Sequence, residues 1–281
     1  MKKVYDCFIF NNELNMLNLR LHELNDVVDF FVLVEATTTH SNKPKKLYFS
    51  ENKHKFKKFS SKIIHIIVND LPRVDDRWKI ENYNRNCIMR GLINNCSDED
   101  LVLLSDCDEI PKAEIVTELK KIDYLSMTTL RQKYYYWDFD KLCGCYYKRH
   151  GFVPCPWPGT IAICWRNLKN TQPQKFRDIR WIDNLNNLYK KDGWHGWHLS
   201  YFGDRDLIIN KILSFCETEW RKNLTDQQLI DKYSKVMLNN LKNSNRTILK
   251  DPNKGKMDLF TNDVKTDPDL PKFYKIFYEN L

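Results

Sequence analysis

Leu101-Val102-Leu103-Leu104-Ser105-Asp106-Cys107-Asp108-Glu109-Ile110-Pro111 is the stretch on which the fold turns. Four apolar residues in a row read as a strand buried on both faces, the pattern of a parallel sheet. The strand ends in three carboxylates within four positions, and Pro111 closes the segment. In an open α/β sheet, ligands sit beyond the carboxyl ends of the strands. An extended backbone would place Asp106 and Asp108 on one face, close enough to share a cation. That much negative charge needs an offset, and hard oxygen ligands suit Mg²⁺ or Mn²⁺ better than Zn²⁺. The competing reading is an acidic turn that caps the next helix.

The pattern extends outward in both directions. Tyr5 to Phe10 reads as a first strand, and Leu14, Leu17, Leu21 and Leu24 then recur at helical spacing. Asp29 to Glu35 and Lys62 to Val68 are further strands around a polar loop from Thr37 to Lys46. Helices are expected over 81–96 and from Ala113 to Lys121, with a strand from Tyr124 to Leu130. This alternation predicts an α/β fold, a mostly parallel sheet flanked by helices. On the 81–96 helix, Ile88, Met89, Leu92, Ile93 and Cys96 form an apolar stripe with Arg85 near its middle. A guanidinium aimed at a sheet needs an anion, either Asp106 or another carboxylate, or a ligand phosphate.

The 281 residues, 42% of them apolar, suffice for one enzyme-sized α/β domain. The halves expected are 1–122, on the strand-end side, and 123–281. No apolar run approaches the ~20 residues of a membrane span, and the N-terminal run is broken too early for a signal peptide. Nine dispersed cysteines read as reduced, mostly buried thiols, and a cytoplasmic location is expected. Lys- and Asn-rich usage suggests an AT-rich genome, bacterial or from a large DNA virus. The net charge of +8 is concentrated from Lys43 to Lys62. Only Phe56 and Phe59 interleave there, so a solvated face is favoured over a nucleic-acid surface.

The second half is rich in aromatic residues, from Tyr134-Tyr135-Tyr136-Trp137 through Trp157, Trp165, Trp181, Trp194 and Trp197. Such a set suits either a sugar-stacking groove or the core of a smaller antiparallel sheet. Gly193-Trp194-His195-Gly196-Trp197-His198 is a Gly/Trp-rich turn ahead of a helix expected over 206–216. Its glycines would allow close backbone approach to a ligand, and a neutral His198 could complete an oxygen-rich metal site.

Several blocks carry a family resemblance. They are Tyr5 to Leu14, Leu21 to Pro44, Arg85-Asn86 with Leu103 to Pro111, Gly196 to Gly203, and a weaker one at Leu270 to Tyr274. On these residues the chain resembles glycosyltransferase family 17, a β-N-acetylglucosaminyltransferase-like family. Two departures from the family pattern stand out: the membrane anchor and stem of the animal Golgi enzymes are expected to be missing, and Asn42 stands where many relatives carry Gly. The resemblance implies a GT-A-type Rossmann-like fold with a smaller aromatic-rich acceptor side. It implies an inverting, metal-dependent transfer of sugar, with UDP-GlcNAc as donor and a glycan hydroxyl as acceptor. On matching positions Asp106, Asp108 and His198 would hold Mn²⁺ or Mg²⁺. Asn11, Glu13, Glu35, Lys43, Arg85, Asn86 and Asp106 would line the nucleotide-sugar site.

Inversion requires a carboxylate to take the acceptor proton. The candidates are Asp206, Glu217 and Glu219, with Glu219 preferred and Asp206 its rival. Trp157 and Trp197 are the candidate acceptor-stacking residues. Two other classes stay open. A metal-dependent nuclease or nucleotidyltransferase would use the same carboxylates with the basic segment. A non-catalytic lectin-like domain would use the aromatics alone.

Overall fold

The computed structural model describes residues 1–147, 151–180, 189, 192–214, 224–228, 230–231, 246–251, 255–261 and 269–279. The first half runs β1 (Val4–Phe10), α1 (Leu14–Leu24), β2 (Phe30–Ala36), α2 (Tyr48–Asn52), β3 (Ile63–Val68), α3 (Arg77–Asn86), α4 (Met89–Leu92), β4 (Leu101–Asp106), β5 (Glu109–Pro111) and α5 (Ala113–Lys120). The second half runs β6 (Thr128–Tyr136), β7 (Lys141–Tyr147), β8 (Gly151–Pro154), β9 (Pro156–Cys164), α6 (Trp165–Leu168), α7 (Pro173–Ile179), β10 (Gly196–Ser200), α8 (Arg205–Ser214), β11 (Arg246–Asp251) and β12 (Gly255–Thr261).

One sheet joins the two halves in the order β11-β12-β7-β6-β9-β4-β1-β2-β3. The α/β architecture is the one expected. Strands β3, β2, β1 and β4 are parallel neighbours, linked through helices. Beyond β4 the pairing turns antiparallel, through β9, β6 and β7. Short β5 and β10 lie off this path, with β10 antiparallel to β5 and parallel to β6.

Strand alternation divides the core. Tyr5, Cys7, Val32, Val34, Val102 and Leu104 pack on one face with Ile88, Leu92 and Trp165. Val4, Phe8, Phe31, Leu33, Leu101 and Leu103 pack on the other with Leu17, Leu21, Ile115 and Leu119. Each such side chain, fully buried, contributes about 1.5–3 kcal/mol, which is why these strands contain almost nothing polar. Among the exceptions, Asp6 and Ser105 share the second face and meet one partner described below, whereas buried Glu35 and strand-end Asp106 meet others.

The expected helix over 81–96 is two helices. α3 begins four residues earlier, where Asp76 caps it by accepting from the backbone N–H of Trp78 and Lys79 at 3.1 and 3.3 Å. Between α3 and α4 the backbone stays right-handed helical at Cys87 and Ile88, but its hydrogen bonds tighten to i→i−3, as in Ile88 to Arg85 and Arg90 to Cys87. Gly91 there lies so near β2 that a Cβ would come within 2.6 Å of Val32 Cγ1. Ile88 and Leu92 are buried, but Ile93 is 58% exposed, so the expected stripe does not hold as one face. The strand expected at 124–130 begins later, as β6, because Leu125 is held beside Cys164 as a crossing loop. Asn42 has φ 59°, the left-handed region that Gly enters freely and Asn tolerates. The Lys53–Lys58 segment is a solvated face over buried Phe56 and Phe59. The cysteines whose side chains are described are free thiols. Among the described residues no helix is long and apolar enough to cross a membrane.

Candidate active site

The expected extended run from Asp106 to Asp108 is not what forms. The chain turns at Cys107 and Asp108 and returns as β5. The cause is Arg20 of α1, fully buried beneath the turn. Its Nη1 donates to the carbonyls of Asp106, Cys107 and Glu109 at 3.0, 3.1 and 2.9 Å. Its other nitrogens grip Asp6 at 2.6 and 2.7 Å and Ser105 Oγ at 2.5 Å. Three carbonyls converging on one donor cannot belong to a straight strand. The two aspartates therefore face different surroundings.

Asp106 sits on the same face as Leu104, toward α3. Arg85 Nη2 donates to its Oδ1 at 2.9 Å, and Arg177 Nη2 of α7 donates to its Oδ2 at 2.5 Å. The carboxylate partners expected for Arg85 are present, since it also binds Glu81 at 2.6 Å. Gln174, a further Arg85 partner, donates its backbone N–H to Asn86 Oδ1 at 3.0 Å, which ties α7 to α3. Burial pushes the Asp106 carboxyl up, but Arg177, Arg85 and Arg180 outweigh it and hold it far below the usual range. Glu109 is fully buried and accepts from Arg177, Arg180 and the Trp157 indole at 2.5, 3.0 and 2.8 Å. Against burial, Arg177 and Arg180 hold it down at about 2. Burial beside Arg177 pushes Arg180 down to about 10.

Asp108 lies on the other side of the turn. Lys211 of α8 donates to its Oδ2 at 2.7 Å and stands 3.8 Å from Glu13 Oε1. Asp108 Oδ1 has no hydrogen bond among the described residues and lies 3.8 Å from His198 Nε2, beyond hydrogen-bond range. The His198 ring stacks on Tyr134 at 4.7 Å and meets Trp157 at 4.1 Å. Burial pushes its pKa down to about 4, so the imidazole is neutral at neutral pH. Its Nδ1 is buried with no partner among the described residues. Two carboxylates, Asp108 and Glu13, thus face one ammonium, and a neutral imidazole opens beside them. A carboxylate oxygen and an imidazole nitrogen are donors that Mn²⁺ and Mg²⁺ sites use. The fit lies on the Asp108 side, because both Asp106 oxygens are committed to guanidinium groups. Among the described residues no three carboxylate, imidazole or thiol groups converge on one point.

The remaining expected residues fall as follows. Glu13 Oε2 accepts from the backbone N–H of Asn11 and Asn12 at 3.3 and 3.2 Å, closing the turn after β1 beside Asp106. Glu35 is buried and accepts from Phe49 N–H at the start of α2 and from His65 at 2.9 and 3.0 Å. Lys43 is exposed and pairs with Asp226 at 3.1 Å. Trp157 has its indole N–H on Glu109, with His198 and the Arg180 guanidinium against its ring, the latter at 5.6 Å. Trp197 is buried in the core and its indole donates to the Asp269 carbonyl. Asp206 is exposed in the first turn of α8. Glu217, Glu219 and Trp181 lie outside the described residues. Gly196 serves the fold rather than a ligand, since a Cβ there would meet the Ile110 carbonyl at 2.3 Å.

Residues the sequence reading gives no site role are Arg20, Arg177, Arg180, Lys211 and Glu109, the last read only as one of three strand-end carboxylates. Arg20 carries a readable signal: it lies on the Leu17–Leu24 stripe of α1, opposite Asp6 in an otherwise apolar strand.

The family model of glycosyltransferase family 17 matches residues 1–149, more than half of the chain. The chain belongs to glycosyltransferase family 17. The match takes in the Asp106–Glu109 turn and ends before α7, β10 and α8. Curated relatives include β-1,4-mannosyl-glycoprotein 4-β-N-acetylglucosaminyltransferase from Rattus norvegicus and from Homo sapiens, each 30% identical over 129 residues. Those matches cover 43% of this chain and only 24% of the relatives' length. Among solved structures, the galactosyltransferase LgtC aligns at 12% identity and TM-score 0.34, covering 75% of this chain and 70% of that one. The mannosyltransferase PcManGT from Pyrobaculum calidifontis aligns at 9% identity and TM-score 0.38, covering 86% and 76%.

Proposed function

We propose that this family 17 chain is an inverting, metal-dependent glycosyltransferase that moves N-acetylglucosamine from UDP-GlcNAc to a glycan hydroxyl. The observation that carries this reading is the Asp106–Glu109 turn at the end of a parallel strand, flanked by buried cations on one side and by an under-compensated carboxylate on the other. Family membership and the named relatives support the sugar and the nucleotide.

In this reading Asp108 and His198 hold a divalent cation, with Asp106 as their neighbour across the turn. Bound there, the metal supplies Lewis-acid stabilisation of the departing diphosphate. Arg85, Arg177 and Arg180, balanced by Glu81, Asp106 and Glu109, form a preorganised set of guanidinium donors beside the turn, and fixed donors of this kind stabilise developing negative charge. Asn11 and Glu13, beside those donors, form the nucleotide side with Asn86. Glu35 and Lys43 serve it indirectly, through the α2 and Thr37–Lys46 segments. Trp157 contributes the edge of the acceptor side. Buried Trp197 stays out of that surface. Asp206 and Glu219 remain the carboxylates proposed to take the acceptor proton, a role worth about 10²–10⁴-fold in rate.

Titration calorimetry across UDP-, GDP- and CMP-sugars with Mn²⁺ present tests the donor. UDP-GlcNAc is expected to bind tightest. Tighter binding of a GDP-sugar would overturn the donor assignment.

A further inference from the structure

The carboxylate proposed to hold the cation already has a counter-ion on its other oxygen. Lys211 reaches Asp108 from α8, a helix beyond the part of the chain that the family model covers. Its ammonium group lies 2.7 Å from Asp108 Oδ2 and 3.8 Å from Glu13 Oε1, and the Tyr201 ring covers it at 5.5 Å. Tyr201 takes up this place with φ 57°, a left-handed conformation that costs an aromatic residue energy. Its backbone continues β10 directly from His198. The side that carries the neutral imidazole therefore also shapes the lysine's seat.

We propose that Lys211 is a built-in counter-ion of the Asp108–Glu13 pair, which a divalent cation must displace and which then pairs with the anion that accompanies it. This rests on the metal-dependent reading above. The physics is a competition for one carboxylate. With Lys211 in place, the two carboxylates are left with one net negative charge. A divalent cation added beside an unmoved ammonium would face like-charge repulsion at close range in a poorly solvated setting. The ammonium has to leave, and leaving without a new partner strands a largely buried charge. A diphosphate arriving with the metal provides that partner. Metal and nucleotide should then bind with positive coupling, part of which runs through Lys211. Lys211 is a positioning residue in the empty protein, and a substrate contact only once displaced.

The test is Mn²⁺ affinity, read by electron paramagnetic resonance of free Mn²⁺, for wild type, Lys211→Gln, Lys211→Met and Asp108→Asn, each with and without UDP. Circular dichroism establishes that each variant is folded. Gln retains hydrogen bonding should Met fail to fold. Without UDP, Lys211→Gln and Lys211→Met are expected to bind Mn²⁺ about tenfold more tightly than wild type, and UDP should raise their affinity by a smaller factor. Asp108→Asn should bind none. Equal or weaker Mn²⁺ binding by both Lys211 variants, with wild type still binding Mn²⁺ and UDP together, would overturn the role of Lys211 and leave the metal reading standing. No Mn²⁺ binding by any protein, with or without UDP, would overturn both.

Discussion

Arg20 shows how much of the site depends on one side chain that never meets a ligand. It spans Asp6 and the turn carbonyls from a fully buried position. Replacing it by Met strands the Asp6 carboxylate and frees three carbonyls. Removing one partner of a buried pair costs about 3–5 kcal/mol, a large share of the ~5–15 kcal/mol a domain typically has. Urea denaturation of Arg20→Met should show a loss of that size. The double variant Asp6→Leu with Arg20→Met should recover part of it, since no buried charge is then left unpaired. A loss under ~1 kcal/mol would remove Arg20 from its place as the keystone of the turn. Arg85 is legible in the sequence for the same physical reason, a charge inside an apolar stripe. Arg177, Arg180 and Lys211 are not. Arg177 and Arg180 lie among other polar residues, where a solvated face is the simpler reading, and Lys211, though set among Leu207, Ile208 and Ile212, is brought to the turn only by long-range packing.

At the scale of elements, α3 organises one wall. It starts at a capped residue and aims Glu81, Asn84 and Arg85 at the strand ends. Asp76→Ala should cost about 1 kcal/mol in stability, measured by thermal melting, with little effect on nucleotide binding. The same face covers His40, which lies 3.7 Å from Glu81 and within reach of Asn84. Burial lowers its pKa below 6.5, with Glu81 and Asp106 opposing and Arg85 and Lys45 assisting. A depressed folded pKa contributes stability that is present above 6.5 and lost as pH falls through the folded value. Wild-type melting temperature should therefore decline more steeply below pH 6.5 than that of His40→Gln, which stays neutral. Parallel slopes would show that His40 is not held neutral by the fold. Strand parity is the most legible feature at this scale, and it places Asp106 toward Arg85 and Ser105 toward Arg20. The tightened turns between α3 and α4 and the close approach of Gly91 to Val32 are hidden, because local periodicity registers neither.

Over the whole molecule, the parallel half is written in the apolar runs of β1 to β4. The antiparallel half is written only in its aromatic content, because β6 and β9 alternate in ways compatible with either groove or core. The structure answers both ways: Tyr135 and Trp197 are core, whereas Trp157 and His198 border the carboxylate turn. One continuous sheet thus sets cations, carboxylates and aromatic rings around the end of β4. In the function proposed above, this edge cleaves a nucleotide sugar with help from a divalent cation. Release of UDP from UDP-GlcNAc, followed with and without Mn²⁺, tests it most directly. UDP release is expected to require Mn²⁺, to stop with a chelator and to be lost in folded Asp108→Asn. Equal release in chelator, or undiminished release by Asp108→Asn, would contradict it.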